Sequence, residues 1–131
     1  MAKEITSCPC GTSKPYQACC GAIHQGEVAA QTAEQLMRSR YSAFALGLEE
    51  YLKYSWHPDT CPVDLDLDRS CKWLGLKVKQ TSAGGAHDAE GTVTFIARYR
   101  QTGKGHRLEE KSRFVRLASD GRWVYHSALN D

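Results

Sequence analysis

The chain has 131 residues, 41% hydrophobic and 24% charged, with a formal net charge of +2. This is the make-up of one globular domain, alone or with a small module attached. No apolar run reaches the roughly 18 residues of a membrane helix, and so small a charge does not by itself argue for nucleic acid. The opening MAKEITSCPC has no apolar signal core. The cytoplasm is therefore the expected compartment, where clustered cysteines bind metal or do redox chemistry more often than they form disulfides.

The first segment, SCPCGTSKPYQACCGA, holds four of the six cysteines: Cys8, Cys10, Cys19 and Cys20, in the pattern C-x-C-x8-C-C. Residues 1–22 have almost no large aliphatics and cannot order themselves by hydrophobic burial. Tetrahedral Zn²⁺ takes four thiolate or imidazole ligands, and folding the loop between the two cysteine pairs would bring them together. Gly11 and Gly21 follow the pairs, allowing tight turns and leaving N–H groups to point at sulfur. Lys14 would help offset the charge of four thiolates. Zinc is the default metal, although such sites also take iron. Metal binding would supply the folding energy that the segment lacks. A disulfide, a redox pair and unbound thiols are the alternatives, and His24 is either a spare ligand or a surface histidine.

Residues 23–31 read as a polar connector. TAEQ is a capping box with Thr32 as N-cap and Gln35 at N3, and Leu36, Met37, Tyr41, Phe44 and Leu48 form a helical stripe. Gly47 is the stop. A second helix runs from Glu49 to Trp56, with two carboxylates in its first turn, and ends before Pro58. Residues 58–72 are loop-like, and DLDLD within them fits a short strand or a loop. From Trp73 four strand-like runs follow: WLGLKVKQT, GTVTFIARYR, HRLEEKSRFVRL and RWVYHSAL. Turn signals separate them. In the second run, Val93, Phe95, Ala97 and Tyr99 share one face, opposite Thr94, Ile96, Arg98 and Arg100. Short connections imply an antiparallel meander, and helices on one face of it make an α+β fold.

CPCGTSKPYQACCG resembles the SEC-C motif, the metal-binding segment named from the C-terminus of the SecA translocation ATPase. The resemblance implies Cys8, Cys10, Cys19 and Cys20 as the ligands. It also implies contacts with proteins, such as the export chaperone SecB, or with ribosomes. LMRSRYSAF, WHP, WLGL, TFIARY, KSRF and WVY extend the likeness across nearly the whole chain, to the YchJ family of small bacterial proteins. That family implies a nuclear-transport-factor-2-like body, a cone of helices against a curved antiparallel sheet. The expected division is a metal knuckle over 1–24 and the cone over 25–131. Some members carry a second SEC-C segment at the C-terminus, whereas this chain ends at HSALND.

Several polar residues sit in apolar company. Arg40 falls inside the helical stripe and needs a partner, because an unpaired buried charge is very costly. Asp64, Asp66, Glu109 and Glu110 are candidates, and a bound anion held bidentately is the functional alternative. Trp56 and His57 stand where the chain turns. His57 is placed either as a general base at a cavity mouth or as a cap on the helix end, and His126 is expected on a strand. Arg98, Arg100, Arg113 and Arg116 lie on neighbouring strands. Arg113 and Arg116 point opposite ways, and Glu109, Glu110 and Asp120 are expected to dilute any basic field to a mixed surface. Cys61 and Cys71 read as free thiols.

Two functions compete. One is a metal-binding interaction protein whose knuckle meets a protein or ribosomal RNA through Lys3, Lys14 and Tyr16. The other is a small-molecule-binding protein or enzyme using the cone's cavity, with Arg40, Trp56, His57, Tyr99 and Arg113 around it. No nucleophile motif or close acid/base pair is visible. Four cysteine ligands would leave no open position for catalysis at the metal.

Overall fold

The computed structural model describes residues 7–65 and 71–129. Lys3, Asp66 and most of DLDLD lie outside them. A 3-10 turn, Tyr16–Ala18, leads into α1 (Cys20–His24), followed by α2 (Ala33–Leu46) and α3 (Glu49–Tyr54). The sequence reading placed no helix before Thr32, and α1 is too short to show a stripe.

Helix α2 begins as expected, with Thr32 Oγ1 accepting from Gln35 N at 3.1 Å. The return half of the capping box is displaced by one residue, because Gln35 Oε1 accepts from Gln31 N at 2.7 Å. Gly47 ends the helix in the left-handed region, at φ 72°. Helix α3 stops at Tyr54, two residues short of expectation. The chain is then taken up by the sheet: Tyr125 N donates to Ser55 O and His57 N donates to Tyr125 O, both at 2.8 Å. Trp56 thus forms a parallel bridge to Tyr125 on the free edge of β4.

The sheet is an antiparallel meander of β1 (Cys71–Ala83), β2 (Glu90–Gln101), β3 (Lys104–Arg116) and β4 (Trp123–Ala128), in that order. Thr102 and Gly103 make a two-residue hairpin, both at positive φ (49° and 81°), as the right-handed strand twist favours. Register shifts at Trp73/Gly75, Val78/Gln80 and Arg113/Phe114 bend the strands. At one corner Gly91 is required, since a Cβ there would lie 2.4 Å from Gly84 Cα.

Val93, Phe95 and Ala97 point to the inner face, as their alternation predicts. They pack with Phe114 and Trp123 against Leu36, Met37 and Tyr41 of α2. Ala33 N donates to Gly84 O at 2.9 Å, which pins the helix start to the β1–β2 turn. The result is the expected α+β layering, with helices on one face of a curved sheet. Among the described residues no helix is long and apolar enough to cross a membrane.

Candidate metal centre and cavity

The knuckle folds by local backbone turns. Cys8 N donates to Lys14 O at 2.8 Å and Gly11 N donates to Cys8 O at 3.2 Å. Gly11 therefore serves the turn, not a sulfur. Its φ of 91° and a virtual Cβ only 3.3 Å from Leu76 O explain the glycine. At Gly21 a Cβ would meet Tyr16 O at 2.7 Å, so the second glycine lets α1 close over Tyr16.

These turns bring the Sγ atoms of Cys8, Cys10, Cys19 and Cys20 within 4.8 Å of one another. None of the six cysteines is in a disulfide. Four sulfurs bound at about 2.3 Å around a tetrahedral centre stand roughly 3.8 Å apart, and Cys10 and Cys19 stand at 3.7 Å. Cys8, Cys10 and Cys20 are buried and Cys19 is half-buried.

The thiols do not titrate alike. The hydrogen bond from Cys20 holds the Cys10 thiol down at about 4, against its burial. The same bond, with burial, pushes Cys20 far up. Burial also raises Cys19. The thiols alone favour a thiolate at Cys10 and protonated Cys19 and Cys20. A dication would let all four ionise, which is the charge logic of a thiolate cage.

Three polar neighbours escaped the sequence reading. Thr12 Oγ1 lies 3.2 Å from Cys19 Sγ and 3.6 Å from Cys10 Sγ. Ser42 Oγ of α2 lies 3.4 Å from Cys8 Sγ. Arg38 Nη1 donates to Cys10 O at 2.7 Å. Thr12, two residues past Cys10, was within reach of a local argument. The other two come from α2 and carry no local signal.

His24 is neither a ligand nor a plain surface group. Its Nδ1 is 2.6 Å from Tyr16 Oη and its Nε2 is 2.8 Å from Ser39 O. A carbonyl only accepts, so Nε2 carries the proton and Nδ1 accepts from the tyrosine. Tyr16 is thereby half-buried in a clamp between knuckle and α2, whereas Lys14 is exposed.

A second site lies between α2 and the inner sheet face. A cavity of about 200 Å³ is lined by Arg40, Trp56, Tyr125, Glu110 and Ser112 among apolar neighbours that include Phe44 and Trp73. Arg40 is only 4% exposed. Among the described residues no carboxylate forms an ion pair with it, so the expected pairing with Asp64, Glu109 or Glu110 is corrected. Instead Nη1 donates to Leu52 O at 3.0 Å and to Ser55 Oγ at 2.7 Å. The guanidinium lies over the rings of Trp56 and Tyr125, 4.9 and 4.8 Å from their centres. Carbonyl, hydroxyl and π-faces together replace the missing carboxylate, and burial pulls Arg40 down to about 10. Trp56 Nε1 is buried with no hydrogen-bond partner among the described residues.

Only Arg40 and Trp56 of the five cavity candidates line this space. His57 is turned into its own loop, where Nδ1 accepts from Asp59 N at 3.0 Å, and its ring meets His126. Tyr99 stacks on His106 beyond the cavity. Arg113 is on the outer face, bonded to Glu90. Arg116 points the other way, as parity requires, and lies over Trp123.

A four-cysteine knuckle docked on a helix-covered, curved four-stranded sheet defines a SEC-C-type motif on an NTF2-like body. Residues 32–128 match the family described as "YchJ, middle NTF2-like domain", and the chain belongs to that family. It is 52% identical over 118 residues to a UPF0225 protein of Streptomyces coelicolor, covering 90% of each chain. A UPF0225 protein of Chromobacterium violaceum is 51% identical over 127 residues, covering 94% of this chain and 92% of that one. The solution structure of a SEC-C motif containing protein from Rhodopseudomonas palustris superposes with a TM-score of 0.81 at 34% identity, over 96% of this chain and 99% of that one. A crystal structure of another such protein, from Psychrobacter arcticus, gives 0.71 at 29% identity, over 96% and 81%.

Proposed function

We propose that this is a zinc protein of the cytoplasm in which Cys8, Cys10, Cys19 and Cys20 hold one structural ion, and that the knuckle so formed is a contact surface for a protein or the ribosome. The observation that carries the metal reading is the gathering of four sulfurs within 4.8 Å of one another, with Cys10 and Cys19 at 3.7 Å, close to the separation a tetrahedral ion requires. Four cysteine ligands close the coordination sphere, so the ion orders the segment and performs no chemistry. The contact reading rests on likeness to SEC-C segments and on exposed Lys14. Tyr16 supports that surface from within.

Elemental analysis of protein expressed in zinc-replete medium tests the metal: about one zinc per chain is expected, and a clearly substoichiometric content defeats the cage. Crosslinking capture with wild type and a Cys8→Ser/Cys19→Ser variant tests the contact. Partners lost only in the variant support it, and identical captures from both count against it.

The cavity supports a second reading as a small-molecule site. Buried Arg40 and the unpartnered Trp56 Nε1 favour it, because a buried donor without a partner costs about 1–3 kcal/mol. A ligand with an apolar body and a hydrogen-bond acceptor at one end would relieve that cost. Benzoate is a suitable probe. Titration should shift the Trp56 indole N–H resonance in wild type, with no binding by Trp56→Phe. An unmoved resonance at millimolar benzoate excludes this ligand class.

A further inference from the structure

The outer face of the sheet, opposite α2, is far more basic than the whole chain. Register places residues paired across strands on one face. Lys72 stands opposite Arg100, and Arg98 opposite Arg107. Lys77 faces Ile96, Lys111 faces Thr94 and Arg113 faces Thr92, all on the same side. Among the described residues two carboxylates share it. Glu109 bonds Lys79 and Arg107, and Glu90 bonds Arg113. Glu110 points inward to the cavity, and Asp120 is held by Arg122 in the β3–β4 turn. Of the three carboxylates expected to dilute the field, Glu109 alone does so on this face.

The like-charge pairs are the informative feature. Cations directly opposite across two strands destabilise a sheet. Lys72, Arg98 and Arg100 are exposed, and none has a carboxylate partner among the described residues. The fold gains nothing from this arrangement, but a polyanion laid over it would relieve the repulsion.

We infer that this face binds the phosphate backbone of duplex RNA. Guanidinium groups match phosphate oxygens bidentately. No exposed Phe, Tyr or Trp for base stacking and no apolar groove for a protein anchor accompany the cations on this face among the described residues, which fits backbone recognition without base reading. A face three strands wide spans about 10 Å between its outer backbones. With its side chains it is too broad for the minor groove of B-DNA, while the wide, shallow minor groove of A-form RNA accepts it. The knuckle packs on α2 and on inward-facing Leu76, so the two surfaces are distinct.

The test uses the full chain, zinc-loaded, and a fluorescein-labelled RNA duplex of about 16 base pairs. Fluorescence anisotropy should show binding that weakens steeply between about 50 and 200 mM salt. Arg98→Glu and Lys72→Glu each turn a like-charge pair into an opposite-charge pair. Their melting temperatures should hold or rise, while their RNA affinity falls at least about tenfold and the salt slope drops. Lys53→Glu, an exposed charge change on α3 outside this face, should bind as wild type. The inference is overturned if wild type does not bind at about 50 mM salt. It is equally overturned if the two glutamate variants bind unchanged, or if a DNA duplex or anionic phosphatidylserine vesicles bind as tightly as the RNA.

Discussion

The knuckle and the body are ordered by different physics. Residues 7–24 bury cysteines with half-buried Tyr16 and depend on sulfur chemistry for cohesion. The body buries Phe114, Val93 and Trp123 behind α2 and depends on apolar area. One is all specific atoms at set distances, and the other is volume and pattern. The polar contacts between them include Cys8 with Ser42, Arg38 with Cys10 O, and His24 with Ser39 O. All three land on α2, the helix that also forms the roof of the core. The knuckle is thus an appendage that leans on the body, with Leu76 of β1 packed against both clusters.

The comparison breaks most sharply at Phe114, which has no exposure. Phe114→Ala should cost about 3–5 kcal/mol and lower the thermal transition of the body. The cysteines should still take up zinc in a chelator competition if the knuckle folds on its own. Loss of zinc uptake alongside the body would mean that α2 holds the cage open.

The reciprocal change is Cys20→Ser. It should abolish amide protection over residues 8–24 in hydrogen exchange. The body should lose only the docking contacts, about 1–3 kcal/mol in total. Global unfolding would show one cooperative unit. A smaller effect is expected from Thr12→Val, which removes the hydroxyl beside Cys10 and Cys19. Metal affinity in competition with a chromophoric chelator should fall about tenfold or more, with the body's melting unchanged.

The two regions were not equally legible from sequence. The four ligand candidates stand out because thiol spacing within one short segment is a local signal. Phe95 and Val93 were legible through strand alternation, and Thr32 and Gly47 through helix-end chemistry. Arg40 was visible as an anomaly, but its solution was not, because a carbonyl, a hydroxyl and two rings come from α3, the segment after it and β4. His57 and Tyr99 were misplaced for the same reason: cavity lining depends on which way a turn and a curved strand aim their side chains. The basic face was undervalued because charges were counted along the chain. Only the register separates Glu109 from Glu110 and sets Arg98 against Arg107.

The finest contrast is at His24, the joint between the two regions. Burial holds its pKa below the ordinary 6.5, because desolvation penalises the charged imidazolium. The unfolded chain therefore binds the second ring proton more readily than the folded one. The clamp's contribution is present above about pH 6.5 and is lost as pH falls below it. Its size is that of a hydrogen bond in partly screened surroundings, up to about 1 kcal/mol. In wild type, the His24 ring proton should titrate below 6.5 by NMR, and amide protection in residues 16–24 should decline over that same range. His24→Phe should remove this part of the decline and leave the more acidic loss, set by thiolate protonation, in place. Identical profiles in both proteins would assign all the acid sensitivity to the sulfurs and leave His24 as a spacer.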